Sequence, residues 1–131
     1  MTDPRRLFSA ELFPSPAPFS HVAVSRTGLA FISGLIGQRR STGELVSSEL
    51  RPQVEAMFDN LATLLAEAGL DARDLLRTTL YLTSYDDFGE INAIYRERLR
   101  EPYPARVTLQ VAGLPLGARV QIDAVADAIE S

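Results

Sequence analysis

The stretch YPARVTLQVAGLP, residues 103–115, contains the strand sequence on which the predicted fold depends. Successive residues of a β-strand point to opposite faces, so its residues divide into two rows. The apolar row, which suits a protein core, consists of Val107, Leu109 and Val111. The polar row consists of Arg106, Thr108 and Gln110. Arg106, at the head of the polar row, is therefore the first candidate functional residue.

The next predicted strand, residues 118–126, is expected to form a hairpin with this one. A four-residue loop between them places Arg106 opposite Asp123 and keeps polar faces together, whereas a five-residue loop would mismatch the faces. Such a cross-strand ion pair contributes about 0.2–1 kcal/mol and by itself implies no chemistry. The polar sheet face predicted in this way carries Thr108, Gln110, Gln121 and Asp123.

The rest of the chain predicts two helices and three more strands. The first helix lies between an N-cap at Ser48 and a C′ glycine at Gly69, and its apolar residues recur at spacings of three and four. The second begins near Asp86 and ends at Pro102. Each helix has one apolar stripe, so both are expected on one face of a mixed, mostly antiparallel sheet in an α+β fold. The additional strands are predicted at 21–25, 29–33 and 77–83.

Length and composition limit the classes of function. The chain has 131 residues, which predicts one domain over 1–131, and it has no cysteine, which excludes disulfides, thiolate nucleophiles and zinc–thiolate sites. Apolar runs stay far below the roughly 18 residues that cross a bilayer, and the first residues lack the apolar region of a secretory signal, so a soluble cytoplasmic protein is expected. The net charge is −4 and the basic residues form no stripe, which argues against a nucleic-acid partner.

Two isolated polar residues are weaker candidates. His21 is the only histidine, so no histidine cluster is available for a metal ion, and we predict it on the surface of a strand. Ser33 precedes Gly34 but lacks the pattern of a nucleophile elbow and a neighbouring base, so its hydroxyl is expected to fix a loop. We expect no metal site and no cofactor.

Motifs along nearly the whole chain resemble the Rid family, the reactive intermediate deaminases that were once described as perchloric-acid-soluble or translation-inhibitor proteins. Each motif is weakly specific, but their order, with Pro-Ala-Arg before the two final strands, is specific. The matching motifs are Ala17-Pro18-Phe19, Ile32-Ser33-Gly34, Thr42-Gly43-Glu44, Ala68-Gly69-Leu70, Arg77-Thr78-Thr79, Asp87-Phe88, Asn92 with Tyr95, Pro104-Ala105-Arg106, and the Val-x-Ile stretch at 120–122.

The resemblance implies a fold, an assembly and a chemistry. The family fold is chorismate-mutase-like, with two helices on one face of the sheet, and the family forms homotrimers with pockets between subunits. In its deaminating members an arginine at the position of Arg106 binds the carboxylate of a 2-enamino or 2-imino acid such as 2-aminoacrylate. Water attacks the imine carbon, ammonia leaves, and a 2-keto acid remains.

This chain departs from the family pattern where water would be activated. Gln121 takes the place of a glutamate that is proposed to hold the water, and a neutral amide cannot accept a proton at neutral pH. Asp123, two residues later on the same face, is the candidate substitute base. Phe19 takes the place of a pocket tyrosine and Thr108 that of a frequent cysteine. Retained positions are Arg106, Ser33 and Asn92, which are expected to bind substrate together with Phe19 and Thr108.

Three hypotheses follow. The first is a deaminase of 2-enamino and 2-imino acids, slow or altered in substrate because of Gln121. The second is a non-catalytic trimer that binds small carboxylates or keto acids as a sensor or chaperone-like partner. The third, an RNA-cleaving enzyme, is least supported, because the chain is acidic and has a single histidine.

Overall fold

The computed structural model describes residues 4–129, which form six strands, two α-helices and short 3₁₀ turns. The helices are α1 (Leu50–Glu67) and α2 (Phe88–Arg98). The strands are β1 (Arg5–Leu7), β2 (Val22–Val24), β3 (Leu29–Leu35), β4 (Leu75–Leu82), β5 (Ala105–Gln110) and β6 (Val120–Asp127). They form one sheet in the order β1-β2-β3-β6-β4-β5.

Both helices cover the same face of this sheet. Alternate residues of β6 are buried, beginning with Val120 and Ile122, and they join the buried residues of α1 and α2 in one core. Each fully buried aliphatic side chain stabilises the fold by about 1.5–3 kcal/mol, so this layer is the main source of stability. The predicted α+β class, with two helices on one face of a mixed sheet, is confirmed. In residues 4–129 no helix is long and apolar enough to cross a membrane.

The predicted hairpin between the last two strands is wrong. β5 lies at the edge of the sheet, parallel to β4, and β6 lies antiparallel between β3 and β4. The physical reason is that β4, α2 and β5 form a crossover unit, which joins parallel strands. The buried row of β6 suits a central strand, whereas β5 is partly exposed along both rows and suits an edge.

This topology separates the two halves of the predicted polar face. Arg106 is paired with Thr78 of β4, which is fully buried beneath the helices, so Arg106 points to the helix-covered face. Thr108 and Gln110 share that face, because they follow at intervals of two residues. Gln121 and Asp123 alternate with the buried row of β6 and lie on the opposite, open face. The predicted ion pair between Arg106 and Asp123 is therefore absent from the fold.

The predicted limits of α1 are right at one end and wrong at the other. Gly69 has a positive φ of 77° just beyond the helix, as a C′ glycine should. The N-cap is Glu49 rather than Ser48, and it makes no side-chain capping hydrogen bond. Instead the hydroxyl of Ser47 accepts the Glu49 backbone N–H at 3.0 Å, so a serine turn just before the helix replaces the predicted cap.

The prediction that His21 lies on the surface is also wrong. The segment after β1, a strand that the sequence did not reveal, covers the imidazole, and the backbone N–H of Ser9 donates to His21 Nδ1 at 2.8 Å. The Ser9 hydroxyl donates to Glu67 of α1 at 2.8 Å. Burial lowers the pKa of His21, and the Glu67 carboxylate partly opposes that shift. His21 thus anchors the N-terminal segment to the domain.

Candidate functional site

Arg106 is held by two side-chain hydrogen bonds on the helix-covered side of the sheet edge. Its Nη2 donates to Asn92 Oδ1 of α2 at 2.6 Å, and its Nε donates to Thr108 Oγ1 at 2.8 Å. Thr108 is two residues further along the same face of β5, and α2 packs directly over that face. The guanidinium is therefore fixed from two elements before any ligand arrives.

Two aromatic rings of α2 flank the same guanidinium. Its central carbon lies 4.8 Å from the ring centroid of Tyr95 and 5.5 Å from that of Phe88. The Tyr95 hydroxyl is hydrogen-bonded to Thr78 Oγ1 at 2.8 Å in the core, so this ring cannot swing away easily. A flat guanidinium stacks on such rings, and an ammonium would not do so in the same way.

These residues line a cavity of about 420 Å³, which we call the Arg106 pocket. Burial lowers the pKa of Arg106, but a guanidinium remains a cation at neutral pH. Within residues 4–129, no acidic side chain lines the cavity, so its lining is positively charged. The lining residues are Phe88, Asn92, Tyr95, Arg96, Tyr103, Pro104, Arg106 and Thr108.

A second and larger cavity, of about 730 Å³, contains Gln121 and is called here the Gln121 cleft. Its walls are mainly apolar and come from the loop before β2, the end of β3 and the turn before β6. The lining residues are Phe13, Ser15, Pro16, Ala17, Phe19, Ser33, Gly34, Ile36, Gln38, Gly43, Pro115, Leu116 and Gln121.

A bulge in β3 shapes the centre of this cleft. The register of β3 on β6 shifts between Ile32 and Leu35, which brings Ser33 and Gly34 out of the regular ladder. A Cβ on Gly34 would lie 2.0 Å from Gln121 Nε2, so the glycine leaves room for that amide. The Ser33 hydroxyl donates to the Ser20 carbonyl at 2.6 Å, which confirms that it fixes a loop.

Gln121 and Asp123 differ in how they are held. Across residues 4–129, the Gln121 amide makes no hydrogen bond, so it can bind a water or a ligand. The Asp123 carboxylate accepts a hydrogen bond from the Tyr81 hydroxyl at 2.6 Å, and this hydrogen bond raises the pKa of Tyr81. Asp123 does not line the Gln121 cleft. Asp123 is therefore a weaker candidate for the substitute base than its position two residues after Gln121 suggests.

The structure thus divides the predicted site residues into two groups. One group, in the Arg106 pocket, is Arg106, Asn92 and Thr108. The other, in the Gln121 cleft, is Phe19, Ser33 and Gln121. The sheet separates the two groups within one chain.

The aromatic wall of the Arg106 pocket was not predicted from the sequence. Phe88 belongs to the apolar stripe of α2, yet it is 37% exposed and faces the guanidinium. The sequence pattern that could have predicted this wall is the spacing of Phe88, Asn92 and Tyr95, because residues three and four apart share one helix face. Within residues 4–129, no three His, Asp or Glu side chains are grouped so that they could hold a metal ion.

Comparisons with known proteins agree on one family. The family described as endoribonuclease L-PSP matches residues 10–128. The human protein named 2-iminobutanoate/2-iminopropanoate deaminase is 38% identical over 124 residues, which cover 93% of this chain and 89% of that protein.

Two solved structures extend this likeness to the fold. RidA from an Antarctic Psychrobacter is 29% identical with a TM-score of 0.87, over 94% of this chain and 98% of that one. TdcF of E. coli, solved with bound serine, is 26% identical with a TM-score of 0.84, over 94% and 98% of the two chains. The predicted chorismate-mutase-like fold is confirmed by these neighbours.

Proposed function

Because the chain belongs to the endoribonuclease L-PSP family, which includes the Rid proteins, we propose that it hydrolyses 2-enamino and 2-imino acids to 2-keto acids and ammonia. The observation that carries the proposal is the fixed guanidinium of Arg106 in a cavity without acidic side chains. A guanidinium binds a carboxylate through two parallel N–H···O bonds. The name of the human relative supports the same class of substrate.

The proposed reaction needs little from the protein beyond positioning. The bonds to Asn92 and Thr108 use Nε and one N–H of Nη2, which leaves the other N–H groups of Arg106 for the substrate carboxylate. The enamine tautomerises to the imine, water adds its oxygen to the imine carbon, and the carbon–nitrogen bond breaks as ammonia leaves. Imines of this kind hydrolyse in water without a catalyst, so holding the imine carbon next to an ordered water accelerates a reaction that is already feasible.

We further propose that the site is completed between subunits of a homotrimer. Arg106 and Gln121 lie on opposite faces of the sheet in one chain, so they can act on one substrate only if neighbouring chains combine them. The open face supports such packing, because it exposes apolar side chains such as Phe31 (48%) and Val107 (45%). Subunit contact over this face would remove these side chains from water.

Gln121 is the proposed water-positioning residue. Its free amide can hold a water by donating or accepting a hydrogen bond, but it cannot take up the proton that the water loses. The proton would pass to the departing nitrogen, which is basic. We therefore expect a slower enzyme than one with a carboxylate at position 121.

The alternative function is a trimer that binds small carboxylates or keto acids without turnover. One observation favours it: the position proposed for water activation is a neutral amide, and Asp123, two residues further along β6, accepts a hydrogen bond from Tyr81. An RNA-cleaving activity, which the family description names, has the least support, because the net charge is −4 and His21 is buried.

A coupled assay separates the first two functions. A dehydratase generates 2-aminoacrylate, and the decay of the imine is followed with and without this protein. Faster decay that increases with protein concentration is the expected result. Unchanged decay, together with measurable binding of 2-oxobutanoate, would support the non-catalytic binder instead.

A further inference from the structure

We propose that Arg96 is a second anion contact in the Arg106 pocket, so that the preferred ligands are 2-imino and 2-keto acids whose side chain ends in another carboxylate. This inference rests on the proposed function, because it names the class of substrate for the same site. It depends on the position, surroundings and charge of Arg96.

Arg96 lies on the helix face that forms the pocket wall. Phe88, Asn92 and Arg96 follow one another at intervals of four residues on α2, and all three line the cavity. Residues four apart on a helix have Cβ atoms about 5–6 Å apart, so Arg96 is one turn beyond Asn92. Asn92 Oδ1 accepts a hydrogen bond from Arg106 at 2.6 Å. Arg106 and Arg96 therefore occupy neighbouring positions along one wall of the pocket.

In the described part of the chain, no acidic side chain pairs with Arg96. Its side chain is exposed, and within residues 4–129 it has neither an ion pair nor a hydrogen bond. The repulsion between the two cations is one cause of the lowered pKa of Arg106. Arg98, two residues later, is different: it pairs with Glu55 at 3.5 Å and with Asp59 at 2.7 Å.

A cation near the end of a helix can also serve the helix dipole alone. Arg96 and Arg98 both lie in the last turn of α2, and Arg98 also makes ion pairs across to α1. Arg96 differs in that it also adds positive charge to a cavity whose lining, within residues 4–129, contains no acidic side chain, in a protein whose net charge is −4. Such a local field attracts an anion with two charges more strongly than an anion with one.

The spacing of Asn92 and Arg96 along the wall favours a short dicarboxylate. One carboxylate, next to the keto or imino carbon, would bind Arg106 beside Asn92, and the other would reach Arg96, which is one helical turn beyond Asn92. A chain of a few carbon atoms spans that interval. A monocarboxylate of equal length would leave its apolar end beside an unpaired guanidinium.

Isothermal titration calorimetry with two keto acids tests this assignment. The probes are 2-oxoglutarate and 2-oxopentanoate, which have the same number of carbon atoms and differ in the second carboxylate. We expect the wild type to bind 2-oxoglutarate about tenfold more tightly, as one charge-assisted hydrogen bond allows. Arg96→Gln should remove most of that preference and weaken the binding of 2-oxopentanoate much less than that of 2-oxoglutarate.

Arg100→Gln is the matched control, because Arg100 is also exposed and carries the same charge but does not line the Arg106 pocket. It should keep the preference for the dicarboxylate. Equal affinity of the wild type for both keto acids, or an undiminished preference in Arg96→Gln, would overturn the role of Arg96 while leaving the carboxylate clamp intact. Failure of both keto acids to bind would instead contradict the clamp, and with it the proposed function.

Discussion

The Arg106 pocket and the Gln121 cleft differ in how firmly their central residue is held. In the pocket, the guanidinium has two hydrogen bonds and two flanking rings. In the cleft, the Gln121 amide has space beside Gly34 and no hydrogen bond in the described part of the chain. In the proposed function, carboxylate binding therefore depends on groups of the single chain, whereas water positioning depends on groups that the ligand or a neighbouring subunit must complete.

The first prediction concerns the Arg106 pocket, whose central residue is firmly held, and it has the largest expected effect. Arg106→Lys keeps the positive charge but loses the planar fork and its stacking on Tyr95. We expect pyruvate and 2-oxobutanoate to bind about 10- to 100-fold more weakly, which corresponds to about 1.5–3 kcal/mol for a charge-assisted contact. Calorimetry measures the affinity.

Thermal unfolding serves as the control for Arg106→Lys. The melting temperature should fall by only a few degrees, because the side chain is partly exposed and the core beneath it is unchanged. Arg100→Lys, at an exposed position outside the pocket, should alter neither quantity. Unchanged keto-acid affinity in Arg106→Lys would show that Arg106 serves the structure alone.

The second prediction concerns the Gln121 cleft, whose central amide makes no hydrogen bond in the described part of the chain. Glutamine and glutamate have nearly the same shape, so Gln121→Glu adds a proton acceptor with little change in packing. General-base catalysis contributes about 10²–10⁴-fold where the base is indispensable, but these imines are labile, so we expect a gain of about tenfold in imine hydrolysis. The coupled assay measures it. No gain in an intact oligomer would indicate that the cleft serves binding.

The third prediction has the smallest expected effect. Asp123 is bonded to Tyr81 and lies outside the lining of the Gln121 cleft. Asp123→Asn should therefore lower the rate of imine hydrolysis by no more than about twofold, since general-base effects require direct access to the water. Tyr81→Phe, which removes the same hydrogen bond, is the matched variant. A large loss in Asp123→Asn with normal activity in Tyr81→Phe would identify Asp123 as the base.

The sequence predicts the local elements well and the pairing of the last two strands poorly. Helix α1 and strand β4 follow from periodicity, because the buried residues of each recur at a fixed interval. Whether β5 pairs with β6 or with β4 depends on the crossover through α2, which no local pattern encodes. Because the predicted pairing was wrong, the prediction that Arg106 and Asp123 lie on one face of the sheet was wrong as well.

The candidate site shows the same division between local and distant information. Arg106, Asn92 and Thr108 were named from the sequence by resemblance, and the structure brings all three into one pocket. The stacking of Tyr95 on Arg106 was not predicted, because it needs the packing of α2 over the sheet edge. Gly34 was named only as part of a motif, and its close approach to Gln121 is visible only once β3 and β6 are paired.

Mixing two impaired variants tests most directly whether one active site combines the Arg106 pocket of one subunit with the Gln121 cleft of another. Arg106→Lys disables the pocket, and Gly34→Leu fills the cleft, since even a Cβ there would meet the Gln121 amide. Light scattering must first show that each variant alone is a trimer.

The two variants are unfolded together, refolded as a mixture, and assayed for imine hydrolysis. In a cyclic trimer with sites between subunits, every mixed trimer contains one intact site, so an equal mixture should recover about a quarter of the wild-type activity. A mixture no more active than the two variants measured separately would contradict the account, because each chain would then have to supply both halves of its own site.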